Sequence, residues 1–145
     1  MEPGPAHKLL DVFTGKWNTE GFTIADPEGS SQKIQATDIY EWLPGGFFLI
    51  HHADAQVGDE KINIIEIIGY NDSDKSYYSH SFDSRGNYAT FRLSINEGLL
   101  KITGTTERFT GKINREATLI TGKWERSDNG LDWQHSMDVK LTKVR

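Results

Sequence analysis

Short clusters of Gly, Asn, Asp and Pro cut this chain at near-regular intervals, and no other property of the sequence limits its fold so strongly. They are Asp26-Pro27-Glu28-Gly29, Pro44-Gly45-Gly46, Gly58-Asp59, Asn71-Asp72-Ser73-Asp74, Ser84-Arg85-Gly86-Asn87, Asn96-Glu97-Gly98, Asn114-Arg115-Glu116 and Asp128-Asn129-Gly130, most of them 10 to 16 residues apart. Gly, Asn and Asp supply the positive-φ positions that tight hairpins need. Between them run segments rich in Ile, Thr, Tyr, Phe and Trp, which pack well on a pleated surface. About ten strands are predicted, at 16–25, 33–43, 47–56, 60–70, 76–82, 87–95, 99–104, 107–113, 118–126 and 132–142. One short helix is predicted from Pro5 or Ala6 to Phe13, because proline suits a first helical position and Leu9, Leu10 and Phe13 share a face. FTGK at 13–16 recurs at 109–112, and TGKW stands at 121–124, without a common period, so no structural repeat is read.

An antiparallel meander must hide its edge strands, and closing into a barrel removes them altogether. Short hairpins throughout favour closure over a two-sheet sandwich, whose Greek-key crossings need longer connections. The expected fold is therefore an all-β, up-and-down antiparallel barrel of about ten strands with one short N-terminal helix. The 145 residues suit a single domain over 1–145, and a chain of that size buries roughly 68–70% of its unfolded surface.

Composition narrows the function. There is no cysteine, which excludes disulfides, thiolate catalysis and cysteine-based metal sites. The net charge is −5, with acidic and basic residues interspersed, so a nucleic-acid partner is not expected, since phosphate binding needs clustered Lys and Arg. MEPGPAHKLLDVF does not read as a secretory signal, and the greasiest stretch, Ile62 to Tyr70, is broken by Glu66. Asn71-Asp72-Ser73 matches the glycosylation triplet by chance on this reading. The protein is expected to be cytoplasmic, with no membrane association.

Alternation of side chains along each strand sorts candidate lumen residues. In 132–142 the apolar face reads Trp133, His135, Met137, Val139, Leu141, which places His135 and Met137 inside. In 60–70 the fuller apolar set, Ile62, Ile64, Glu66, Ile68, Tyr70, buries Glu66 among isoleucines. The adjacent His51 and His52 must point to opposite sides; His51 shares its face with Phe47, Leu49 and Ala53 and is expected inward. Strand 76–82 offers Tyr78, His80 and Phe82, strand 33–43 offers Ala36, Asp38, Tyr40 and Trp42, and strand 118–126 offers Ile120, Gly122, Trp124 and Arg126. The expected ligand-binding set is His51, Glu66, His80, His135, Tyr40, Trp124 and Met137. An apolar wall with a few oriented polar groups is the chemistry of a small-molecule pocket. His51, His80 and Glu66 lack metal-ligand spacing, so no metal is expected.

The order GKWNTEG, YEWLPGGFFLIHH, EIIGYN, YYSHSFDSRGN, ERFTGK, TGKWERSDNGLDW and MDVKLTK resembles the bacterial proteins of domain of unknown function 1579, from about Leu9 to Lys143. The resemblance implies a calycin-like barrel, of the lipocalin kind, and carries no catalytic set. A more distant resemblance is to nitrobindin-type haem barrels. Gly15, Trp17 and Gly21 match their Gly-x-Trp-x-Gly-x-Gly strand, with Thr19 in place of a glycine, and that likeness implies an axial role for His135. The leading expectation is a non-enzymatic protein that binds one small, largely apolar molecule in its lumen without a cofactor. The alternatives are acid–base catalysis at the same polar cluster and haem binding through His135. Strands 47–56 and 60–70, apolar on both faces, also suit a homodimer contact.

Overall fold

The computed structural model describes residues 2–25 and 29–145. The predicted turn at Asp26-Pro27-Glu28 lies outside the described residues. Those residues form ten strands: β1 Gly15–Thr23, β2 Lys33–Trp42, β3 Leu49–Val57, β4 Glu60–Asn71, β5 Ser76–Asp83, β6 Tyr88–Asn96, β7 Leu99–Thr103, β8 Glu107–Ile113, β9 Leu119–Arg126 and β10 Gln134–Lys143. Each pairs antiparallel with its sequence neighbour, and β1 pairs with β10, so the sheet closes into a barrel. Every predicted strand is present, with ends within two residues. Gly45, Gly46, Gly58, Gly86, Gly98 and Gly130 all have positive φ, which is why the Gly-rich clusters turn the chain where they do.

The helix is shorter than predicted. Pro5–Lys8 is α-helical (α1), and Leu9–Phe13 tightens into a 3-10 turn. At three residues per turn Leu10 and Phe13 fall on one edge; both are buried, whereas Leu9 is 43% exposed. Three side chains fasten this segment across one end of the barrel. Trp17 Nε1 donates to Phe13 O at 2.8 Å, Tyr77 Oη to Ala6 O at 2.6 Å, and Trp42 Nε1 to Asp11 Oδ1 at 2.7 Å.

The result is a cup. Leu10, Phe13, Trp17, Leu49, Ile68, Tyr77, Leu93, Leu100, Phe109, Ile113 and Ile120 pack into a sealed apolar floor. Above it, inward residues such as Ile62, Ile64, Phe91, Ile102, Trp124, Met137 and Val139 remain only partly buried. A solid hydrocarbon plug would seal them. The wall there carries small side chains on one side: Ala36 opposite Ala55, Ala53 opposite Asp38, and Ser81 opposite Glu66.

Two predicted facings are overturned. β10 carries a bulge between His135 and Met137, since Met137 faces Trp124 while His135 faces Glu125. The extra residue breaks the alternation: Met137, Val139 and Leu141 stay with the interior, and His135 turns out. In β5 the inward residues are Tyr77, Ser79 and Ser81, so Tyr78, His80 and Phe82 lie on the outer wall. There they join a row that runs Ile39, His52, Ile65, Phe82, Tyr88 across five strands. The greasy outer band expected from strands 47–56 and 60–70 is thus present and extends to β6. Among the described residues no helix is long and apolar enough to cross a membrane.

Candidate functional site

Three neighbouring strands deliver one polar cluster to the lumen. Register places Tyr40, His51, Glu66 and Ser81 side by side on β2, β3, β4 and β5. His51 Nδ1 lies 2.9 Å from Glu66 Oε1, and its Nε2 lies 2.7 Å from Asp38 Oδ1. Two ionised acceptors require two N–H donors, so the imidazole is in its charged form. Asp38 Oδ2 accepts from the Thr19 hydroxyl of β1. The Tyr40 ring lies flat on the imidazole, with centroids 4.0 Å apart and planes 7° from parallel, and itself stacks on Phe13.

The side chains of His51, Asp38 and Glu66 are 12%, 9% and 14% exposed. They are dry enough for strong electrostatics and still open to the lumen. Burial alone would depress the imidazole pKa; the hydrogen bonds and charges of Asp38 and Glu66 outweigh it and raise His51 to about 9. Burial, then the charges of Asp38 and Glu66, hold the Tyr40 hydroxyl well above its usual value. Tyr40 is therefore a neutral donor at physiological pH.

Of the predicted set, the structure gathers His51, Glu66 and Tyr40. Trp124 and Met137 face each other across β9 and β10 and belong to an aromatic part of the wall, where Trp124 contacts Phe91 and Phe109. His80 lies on the outer wall, hydrogen-bonded to the Tyr88 hydroxyl at 2.7 Å. This separates it from His51 and Glu66 and removes any joint metal face. His135 is also outside, 40% exposed, with Nε2 on Asp138 Oδ1 at 2.8 Å, so it presents no ligand to the lumen. Nor does Glu66 pair with Arg92 or Arg108. Those arginines bind Asp74 and Glu125, and Arg108 also lies over the Trp133 ring.

Sequence reasoning passed over Asp38, Thr19 and Ser79. Asp38 stood on the correct face of its strand, but a single acid or hydroxyl in a strand carries no distinguishing signal. Ser79 is fully buried and its hydroxyl has no hydrogen-bond partner among the described residues. A separate depression of about 640 Å³ lies on the outer wall among Asn18, Glu20, Gln35, Thr37, Asp54 and Lys61. It brings together no buried or perturbed group, so the lumenal cluster is the better candidate.

In solved structures the fold recurs. Rv2717c from M. tuberculosis superposes with a TM-score of 0.70 at 10% identity, covering 99% of this chain and 100% of that one. A de novo designed fluorescence-activating β-barrel gives 0.50 at 10% identity, covering 92% and 95%. The S-type phycobiliprotein lyase CPES from Guillardia theta gives 0.48 at 6% identity, covering 95% and 92%. For the first two the likeness is one of fold. No curated protein matches the sequence. The family model described as "Protein of unknown function (DUF1579)" matches residues 2–137.

Proposed function

The chain belongs to the DUF1579 family, and for this member we propose that the barrel binds a small, largely apolar molecule in its lumen, oriented by the Asp38–His51–Glu66 cluster. The observation that carries this reading is a charged, hydrogen-bonded trio on the inner wall, only partly sealed, above an apolar floor. An inert core has little reason to hold three ionised side chains, because each is costly to dehydrate. A pocket uses such groups to fix the orientation of a ligand whose affinity comes from apolar contact. Tyr40, Trp124 and Met137 supply part of that contact. The designed barrel named above is described as fluorescence-activating, which supports the capacity of this architecture to hold a small molecule.

The acid–base alternative draws less support. Both His51 nitrogens are committed to carboxylates, which leaves that ring no lone pair for a substrate proton, so Glu66 would have to act as the base through its second oxygen, without the histidine's help. The haem reading loses its ligand to the outer wall.

Native mass spectrometry of the protein after incubation with lipid and metabolite extracts tests the reading. We expect one adduct per chain, lost in Ala55→Trp, which fills the wall between Ala36 and Ile62. Only empty protein, or an adduct untouched by Ala55→Trp, would count against it.

A further inference from the structure

On the outer wall, independently of the lumen, we propose that the face of β2–β6 is the contact between two copies of this chain, related by a two-fold axis that runs along β4. The row from Ile39 to Tyr88 is one stripe of this face. The next row adds Ile50, Ile67 and His80 between Glu41 and Thr90. Beyond Ile67, Phe48 and Tyr78 both lie over the outer side of Gly69, where a Cβ would meet them at 3.1 and 2.6 Å. Barrel strands tilt by about 35–45°, so the rows climb the wall obliquely and stay on one side of it. Ile39, Phe48, Ile65, Ile67, Phe82 and Tyr88 are between 36% and 57% exposed. A whole aromatic side chain covers about 150–250 Å² and isoleucine somewhat less, so these six leave about 500 Å² of apolar surface open in one patch. That lies high among the patches of monomeric proteins. With Ile50, His52, Tyr78 and His80 beside them, the face approaches the roughly 800 Å² that each partner buries in a stable dimer.

A second copy fits this face in charge and in shape. The chain carries a net charge of −5, so two copies repel through most of their surfaces. Of the ten residues in the two rows, only Glu41, at the β2 border, is an Asp, Glu, Lys or Arg. Copies can meet here without opposing like charges, whereas a basic partner finds nothing to steer it. The β2–β3 half of the face presents Ile39, Ile50 and His52, and the β5–β6 half presents the larger rings of Tyr88 and Phe82 with His80. A two-fold along β4 sets Ile39 on the other copy's Tyr88, Ile50 on its His80 and His52 on its Phe82. It packs Ile65 and Ile67 on their own counterparts, the reciprocal pattern of an isologous contact. The rings are already ordered. Tyr78, His80, Phe82 and Tyr88 pack on one another, and His80 Nδ1 is bonded to Tyr88 Oη at 2.7 Å. Covering them orphans neither of those atoms and needs little further ordering.

Sedimentation velocity over a concentration series tests this. An interface of standard size gives micromolar or tighter association, so a dimer is expected at about 10 µM. Ile65→Lys sets two ammonium groups against each other at the axis and should weaken the dimer about a hundred-fold or more, with the circular dichroism spectrum unchanged. Leu131→Lys, at the most exposed large apolar residue and outside the face, should dimerise as the unaltered chain does. Because the chain has no cysteine, Ile65→Cys gives one thiol per copy. A short bis-maleimide should join that variant into dimers and leave Leu131→Cys single, an arm that holds even where Ile65→Lys fails to fold. A monomer at about 100 µM, a dimer that survives Ile65→Lys, or cross-linking through Leu131→Cys in place of Ile65→Cys would overturn the proposal. A monomer that floats with phosphatidylcholine vesicles and is released by Ile65→Lys would overturn it too, and would give the face to a lipid surface.

Discussion

His51 is held by groups from the two strands that flank it, β2 and β4, and its titration is the sharpest handle on the site. A pKa of about 9 in the folded protein against about 6.5 for a free imidazole means that the fold favours the protonated form. The sign follows: this contribution is complete below about pH 6.5 and is lost as the pH rises through 9. At about 1.4 kcal/mol per pH decade it amounts to about 3 kcal/mol. Chemical denaturation from pH 6 to 10 should show that decline, and NMR titration should give His51 a midpoint near 9. His51→Ala leaves two carboxylates facing each other in a nearly dry site. We expect it to cost about 3–5 kcal/mol at pH 7. His135→Ala, on the exposed outer wall, should stay within about 0.5 kcal/mol. Equal losses in the two variants would contradict the placement of the cluster.

At the level of elements, β8 and β9 approach so closely that only glycine fits between them. Gly111 and Gly122 face each other, and a Cβ on Gly122 would lie 2.5 Å from both the Phe109 ring and Thr110 O. Gly122→Ala should therefore cost about 1–3 kcal/mol or more, measured as a lower denaturation midpoint. Tyr77→Phe unties the helical segment from the barrel by orphaning the Ala6 carbonyl; about 1–2 kcal/mol is expected. Strand positions and the facing of β2, β3 and β4 were legible in the sequence because turn residues and alternation both encode them locally. The phase of β5 was not. Its aromatic face reads as the inside, but Tyr78, His80, Phe82 and Tyr88 pack on one another outside, while small Ser79 and Ser81 fit beside the bulky wall of β4. Apolar residues are common on surfaces, so greasiness alone does not fix a face. The bulge in β10 left no sequence mark either, and one extra residue moved His135 to the opposite side.

For the molecule as a whole, the barrel separates two tasks. The floor, tied down by the helical segment, carries the tight packing; the upper wall keeps small side chains and the Asp38–His51–Glu66 cluster. Ligand binding should therefore be alterable without loss of fold. Ala55→Trp should abolish uptake while changing the melting temperature little, because Ala55 is only partly buried. The five histidines offer the most direct test of the central claim, since His51 is inside while His52, His80 and His135 are outside. The protein is titrated with the neutral apolar dye N-phenyl-1-naphthylamine while the imidazole resonances are followed. A saturable one-to-one transition that moves His51 and leaves the outer histidines in place is the expected result. A dye that moves His80 or His52 and leaves His51 still would put the binding surface on the outer wall and contradict the account.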